Sequence, residues 1–241
     1  MKFGKYIAHR GLHNEKLWAP ENSTEAFLRA VEKGIAVELD VHLSRDGHVV
    51  VFHDENLYRM TGLDRRITDL TLSELKELRL KNTSEAIPLL SEVLRAVSGR
   101  VPILIEVKNS TFRIGKLEKK LAEQLENYKG YWAVQAFNPF RLYWFRKNMS
   151  KIKRGQLVTH KDSSGGLFDC FFSNLFSNSF WWRHFSKPDF ISYDLKHVTM
   201  ETVLLAVANN CRLFTWTAKT REMLEDAEKL SDSVIFENFI P

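Results

Sequence analysis

Residues 36–55, AVELDVHLSRDGHVVVFHDE, carry charge at the spacing of an extended strand. Val37, Leu39, Val41 and Leu43 alternate with Glu38, Asp40 and His42, a period of two. Carboxylates at i and i+2 share one face of a strand. Inside a packed sheet, unpaired carboxylates are costly to desolvate. They need a cation, and a metal ion is one answer. Asp46-Gly47 reads as a two-residue hairpin turn. With those residues at the turn, His53 falls directly opposite Asp40, on the same face and about 4.5–5.5 Å away. A one-residue slip in register would break that arrangement.

Two further strand ends carry the same chemistry. YIAHRG ends in His9 and Arg10, and VPILIEVK places Glu106 and Lys108 two residues apart, on one face. Three strands thus offer three carboxylates, two histidines and two cations. Hard oxygen ligands favour Mg2+ or Ca2+ over a soft transition metal. Arginine and lysine beside such an ion form a phosphate-binding combination. The plainer alternative is an internal salt bridge from Glu38 and Asp40 to Arg10 or Lys108. His42 shares the carboxylate face and is read as a hydrogen-bonding or rim residue rather than a ligand. Asn22, in NSTE, reads as a helix cap paired with Glu25, and could also orient neighbouring groups.

The elements that must position these residues are strand-like runs at 5–9, 36–43, 101–107, 132–137, 155–159, 190–194, 212–217 and 233–237. Helical stretches such as STEAFLRAVEKG, LSEVLRAVSG and REMLEDAEKL lie between them. Such alternation indicates a parallel sheet covered by helices. Eight strands fit a closed (β/α)8 barrel, with chemistry at the C-terminal ends of the strands. The second strand would rise past the mouth and turn back. A doubly wound open sheet is the alternative, although no Gly-rich dinucleotide loop follows the first strand.

A length of 241 residues suits one barrel domain. No run approaches the roughly 18 apolar residues of a membrane span. The start, MKFGKYIAHRG, has no apolar h-region, so no signal peptide is expected. Cys170 and Cys211 make no disulfide framework, which points to the cytoplasm. The net charge of +5 favours anionic partners, yet Lys147, Lys151, Lys153 and Arg154 read as a solvated face and no nucleic acid is expected.

The ordered motifs HRG (9–11), PENS (20–23), ELDV (38–41), VVFHD (50–54) and EVK (106–108) resemble the glycerophosphodiester phosphodiesterase family, with weaker echoes in VQAF, RGQL and FTWT. The resemblance covers nearly the whole chain. It implies a TIM barrel of the PLC-like phosphodiesterase type, with a small insertion at about 54–87. It also implies cleavage of glycerophosphodiesters to glycerol 3-phosphate and an alcohol with one divalent cation, Mg2+ or Ca2+. Carried onto this sequence, Glu38, Asp40 and Glu106 become metal ligands, and His9 and His53 the acid–base pair. Arg10 and Lys108 hold phosphate oxygens, and Trp216 walls the substrate site unless it is a core residue. The chain departs from the family where Ala136 replaces a frequent serine, and where Glu237 and Asn238 replace threonine and aspartate. The same core serves relatives resembling lysophospholipase D or sphingomyelinase D, and a non-catalytic phosphate- or membrane-binding barrel is the outside alternative. Residues 166–185, GLFDCFFSNLFSNSFWWRHF, read as an amphipathic helix with a Trp181-Trp182 anchor, either lying on anionic lipid near the mouth or covering the barrel.

Overall fold

The computed structural model describes residues 1–14, 19–109, 113–159 and 185–241. Among the described residues, nine strands follow the alternation in the sequence. They are β1 (Tyr6–Ala8), β2 (Ala36–Leu43), β3 (Val49–Val51), β4 (Ile103–Val107), β5 (Trp132–Ala136), β6 (Lys153–Val158), β7 (Phe190–Asp194), β8 (Arg212–Ala218) and β9 (Ser233–Phe236). All but β3 are parallel, and they pair in the order β1-β2-β4-β5-β6-β7-β8-β9. The pairing Tyr6↔Val234, Ile7↔Ile235, Ala8↔Phe236 closes the barrel, so the open-sheet alternative does not hold. The helices are α1 (Thr24–Glu32), α2 (Tyr58–Thr61), α3 (Leu72–Glu77), α4 (Leu90–Val97), α5 (Lys116–Leu125), α6 (Pro139–Asn148), α7 (Met200–Ala208) and α8 (Arg221–Leu230).

Strand parity divides the barrel into three regions. Val37, Leu39, Val41, Ile103, Ile105, Val107, Val134 and Phe236 face outward and pack on the apolar stripes of the helices, such as Phe27 and Ala30 of α1 and Leu90 and Val93 of α4. The inward residues Ile7, Ala36, Leu104, Ala133, Phe190, Phe214 and Ile235 form an apolar floor with Phe3. Two residues further along each of these strands, on the same face, come His9, Glu38, Glu106, Gln135, Ser192, Trp216 and Glu237. The polar layer therefore stands directly on the floor. Phe190 and Phe214 stack at 4.5 Å, and Phe190 fills the space where a Cβ on Gly155 would lie, only 2.0 Å from its ring.

The hairpin differs from the sequence expectation by one residue. Val41↔Val51, His42↔Val50 and Leu43↔Val49 are paired, and Phe52 N donates to Asp40 O at 3.0 Å, so Phe52 rather than His53 is level with Asp40. The cause is a three-residue loop. Ser44 N donates to His48 O (2.9 Å) and Gly47 N to Ser44 O (3.0 Å), with Gly47 left-handed at φ 86°. This is a type I turn followed by a left-handed glycine.

Two other expectations are corrected. The N-cap of α1 is Ser23, whose side chain accepts from Ala26 N (3.2 Å), because Asn22 is turned toward the barrel. Arg154 is buried rather than solvated, donating to the carbonyls of Ser150 and Ile152.

Between Asp54 and Ile87, α2, a 3-10 turn (Ile67–Asp69) and α3 surround an apolar cluster of their own. It contains Val50, Phe52, Leu57, Met60, Ile67, Leu70, Leu75, Leu80 and Ile87. After β4 and β5, Arg141 of α6 and Glu118 of α5 form a buried ion pair. Arg141 Nε and Asn138 Nδ2 both donate to Asn109 Oδ1, which secures the chain just after Lys108. Residues 166–184 of the aromatic segment lie outside the described residues. Phe185 packs edge-on against Phe140 and Tyr143 of α6. No helix among the described residues is long and apolar enough to cross a membrane.

Candidate active site

The turn after β1 sets the first side of the site. Gly11 has φ 82°, and a Cβ there would lie 2.8–2.9 Å from Ala26, so only glycine lets α1 approach this closely. Arg10 and Asn22 are also left-handed, at φ 55° and 57°. Such backbone is costly for residues with a Cβ and persists only where neighbouring contacts hold it. Here Asn22 N donates to Arg10 O (2.9 Å), and Arg10 N donates to Glu38 Oε2 (3.1 Å). Asn22 Nδ2 donates to Asp40 Oδ2 at 2.8 Å, so the residue expected as a cap orients a carboxylate.

Glu38, Asp40 and Glu106 are brought together. Asp40 and Glu106 are register partners on adjacent strands, and all three buried carboxylates offer an oxygen within 4.8 Å of the others. The two cations lie among them. Lys108 Nζ is 2.7 Å from Glu106 Oε1 and 3.2 Å from Asp40 Oδ1, and Arg10 Nε is 3.6 Å from Asp40 Oδ2. The salt-bridge alternative thus describes real contacts but leaves the charge uncompensated at Glu38. Its Oε1 is buried with no hydrogen-bond partner among the described residues. Burial, with Asp40 and Glu106 beside it, holds the Glu38 carboxyl well above its ordinary range. Burial would also raise Asp40, but Lys108, His53 and Arg10 hold it well below. An all-carboxylate donor set with one partnerless buried oxygen fits a hard divalent cation.

Both histidines are braced through Nδ1. His9 Nδ1 is 2.6 Å from Glu237 Oε2, and His53 Nδ1 is 2.6 Å from Asp54 Oδ1. Their Nε2 atoms are left for other work. His53 enters the site despite the shifted register because β3 ends at Val51 and the chain leaves the ladder after Phe52. His42, inward-facing on β2, accounts for part of this, since its Nε2–H donates to His53 O at 3.1 Å. Burial, assisted by Lys108, lowers His53 to about 4, and burial lowers His42 to about 3. Burial and Arg10 also lower His9, while Glu237 opposes the shift.

A chain of ion pairs links the insertion to the rim. Arg59 of α2 donates to Asp54 (Nε, 2.6 Å; Nη2, 3.1 Å) and to Glu21 (Nη2, 2.6 Å; Nη1, 2.8 Å). Glu21 accepts from Arg10 Nη1 at 2.7 Å in turn. Burial opposes ionisation of Glu21, but Arg59 and Arg10 bring it down to about 2. Glu21, Asp54, Arg59 and Glu237 were not assigned from sequence. Glu21 and Asp54 lie inside recognisable motifs and Glu237 shows as a departure from one, whereas Arg59 has no local signal. Trp216 stands above Phe214 in the barrel interior. Its indole N–H donates to Ser192 O (3.0 Å), and its ring meets Phe137 edge-on at 5.9 Å.

A sequence profile described as the glycerophosphoryl diester phosphodiesterase family matches residues 9–238. A glycerophosphodiester phosphodiesterase of Caldanaerobacter subterraneus is 30% identical over 229 residues, covering 91% of this chain and 87% of the relative. One from Bacillus altitudinis is 36% identical over 165 residues, 64% of this chain and 66% of the relative. A human protein named lysophospholipase D GDPD1 is 37% identical over 137 residues, 52% of this chain and 41% of that one. Among solved structures, a Thermotoga maritima glycerophosphodiester phosphodiesterase superposes with a TM-score of 0.72 at 28% identity, covering 98% of this chain and 95% of that one. An Oleispira antarctica phosphodiesterase, solved with the product sn-glycerol-3-phosphate, shares the fold with a TM-score of 0.81 at 24% identity, covering 97% and 93%. The chain belongs to the glycerophosphoryl diester phosphodiesterase family and is a hydrolase of phosphoric diesters.

Proposed function

We propose that the protein hydrolyses glycerophosphodiesters to glycerol 3-phosphate and an alcohol, with one divalent cation, Mg2+ or Ca2+, held by Glu38, Asp40 and Glu106. The observation that carries this is the buried carboxylate triad, with a partnerless Glu38 oxygen, beside two cations and two carboxylate-braced histidines. When bound, the cation supplies Lewis-acid polarisation of a phosphoryl oxygen and lowers the pKa of an attacking hydroxyl.

The chain's own residues do the rest. Arg10 and Lys108 bind the non-bridging phosphoryl oxygens and stabilise charge that develops there. One of His9 and His53 takes a proton from the nucleophile, and the other gives one to the leaving alkoxide. Each transfer occurs at Nε2, because Nδ1 is engaged by a carboxylate. The faces of Trp216 and Phe137 offer apolar surface to the carbon side of the substrate. The nucleophile is water, or the adjacent glycerol hydroxyl through a cyclic phosphate. Residues 1–241 act as one barrel domain, with 54–87 shaping the alcohol side.

Phosphorus NMR on glycerophosphocholine, glycerophosphoethanolamine, glycerophosphoglycerol and lysolipids tests the reading through the products formed. Glycerol 3-phosphate from the first three supports it, and a cyclic phosphate reveals the hydroxyl route. No cleavage of any of them sinks it. His9→Ala and His53→Ala should each lower turnover by roughly 10²–10⁴-fold with the fold intact. A lysolipid substrate is the second reading, favoured by the resemblance to the protein named lysophospholipase D. Lysophosphatidic acid as the main product would establish it. Peripheral contact of residues 166–185 with anionic lipid, at a cytoplasmic membrane face, belongs to that second reading. Trp181→Ala with Trp182→Ala should then weaken sedimentation with anionic liposomes.

A further inference from the structure

Glu237 lies where the chain departs from its family's usual pattern, and its setting gives it a defined task. The β1–β9 register pairs Ala8 with Phe236, and His9 N donates to Phe236 O at 2.9 Å, so residue 237 comes level with residue 9. Both stand on the inward face, two residues above the floor pair Ile7 and Ile235. On its other side, Glu237 N donates to Ala218 O at 3.0 Å, fixing its backbone against the end of β8. The carboxylate is then divided between two partners. Oε1 meets Lys219 Nζ at 2.8 Å, and Oε2 meets His9 Nδ1 at 2.6 Å, with His13 Nε2 3.9 Å away. His9 and Glu237 are only 13% and 12% exposed, whereas Lys219 is 59% exposed and lies toward solvent.

We propose that Glu237 is a positioning residue for His9. It keeps the proton on Nδ1 and fixes the ring plane, so that Nε2 is presented unprotonated to the phosphodiester. Asp54 has the same relation to His53, reached by a different route: a sequence neighbour there, and a strand from the far end of the chain here. A carboxylate accepting from Nδ1–H sets the tautomer of a histidine. The wrong tautomer leaves the ring in place but puts a donor where an acceptor is needed. Asp or Thr at this position has fewer methylenes to span the gap. Glutamate reaches across while its outer oxygen stays on Lys219.

This proposal rests on the reading of His9 as an acid–base group, so the test is run in two backgrounds. Glu237→Ala and Glu237→Gln are made in the wild-type chain and in His9→Ala, with circular dichroism confirming the fold. The glutamine variant retains the shape but has one acceptor oxygen for two donors, and it serves if the alanine variant is unstable. In the wild-type background kcat on glycerophosphocholine should fall roughly 10–100-fold, with KM changed less than about threefold. In the His9→Ala background neither substitution should cause further loss, because residues acting as a unit are non-additive. Nitrogen-15 NMR should show His9 carrying its proton on Nδ1 in the parent and on Nε2 in Glu237→Ala. Wild-type kcat in the folded variants overturns the proposal. So does an equal loss in both backgrounds, which would make Glu237 a brace for β8 through Lys219, and so does an unchanged His9 tautomer. Wild-type turnover in His9→Ala itself removes the catalytic reading, and this proposal with it.

Discussion

Replacing Glu38 with glutamine should have opposite effects on the protein with and without a divalent cation. Two unit charges within 4.8 Å of each other repel by at least about 3.5 kcal/mol at an effective dielectric near 20, a cost the chelated parent relieves in part by raising the Glu38 pKa. Glu38 faces two such neighbours, Asp40 and Glu106, while Arg10 and Lys108 offset part of the cost. Glutamine keeps the shape and an oxygen for the Arg10 amide. Chelated Glu38→Gln should therefore be more stable than the chelated parent by about 1–3 kcal/mol, with about 2–4 °C in Tm for each kcal/mol in a chain of this size. The parent should gain about 2.7 kcal/mol when Mg2+ or Ca2+ is added at a hundred times its Kd, and the variant far less. Thermal melts of both proteins, with EDTA and across a cation titration, make the comparison. A chelated variant less stable than the parent would show that Arg10 alone satisfies Glu38 and that no ion is needed there. An equal cation-induced rise in both would place the ion elsewhere.

Arg59→Ala should cost only about 1–2 kcal/mol, because Arg59 is itself 43% exposed although its partners Glu21 and Asp54 are largely buried and Arg10 still holds Glu21. It should nonetheless lower kcat roughly tenfold by releasing Asp54 and hence His53, and unchanged kinetics would remove the link. Glu21 has a folded pKa of about 2, below its ordinary value, so its contribution is present above about pH 4.5 and is lost as pH falls toward 2. That contribution is about 3 kcal/mol, and urea midpoints of Glu21→Gln should be correspondingly flatter over that window, whereas parallel curves would refute it. Gly155→Ala should cost about 1–3 kcal/mol by overpacking against Phe190, with partial recovery in Gly155→Ala/Phe190→Leu. A neutral single variant would contradict the packing of the barrel floor.

The barrel was legible because parallel strands buried on both faces leave apolar runs, spaced here by helices with clear apolar stripes. Glu38, Asp40 and Glu106 stood out for the converse reason, as charges at inward positions of otherwise apolar strands. The hairpin register was not legible. Asp46-Gly47 fits a two-residue turn and a three-residue loop equally well, and the choice rested on Ser44, whose backbone pairs with His48. The cap of α1 was ambiguous for a similar reason, because Asn22 and Ser23 are both good caps and the pull of Asp40 decides between them. Arg59 and Glu237 carry no periodic signal. Their roles come from contacts across the fold, Arg59 through an irregular insertion and Glu237 through barrel closure more than two hundred residues from His9.

The apolar cluster of the insertion is separate from the barrel's main core, and one route from it to the rim runs through the side chain of Arg59. Separate clusters of this kind open as cooperative units with their own free energies, below that of global unfolding. The insertion is therefore a local fuse. Opening it would release Asp54 and Glu21 while the eight-stranded barrel stayed paired. On warming, turnover should fail several degrees before circular dichroism reports loss of the barrel, and amides of residues 57–80 should exchange ahead of those in β4 and β5.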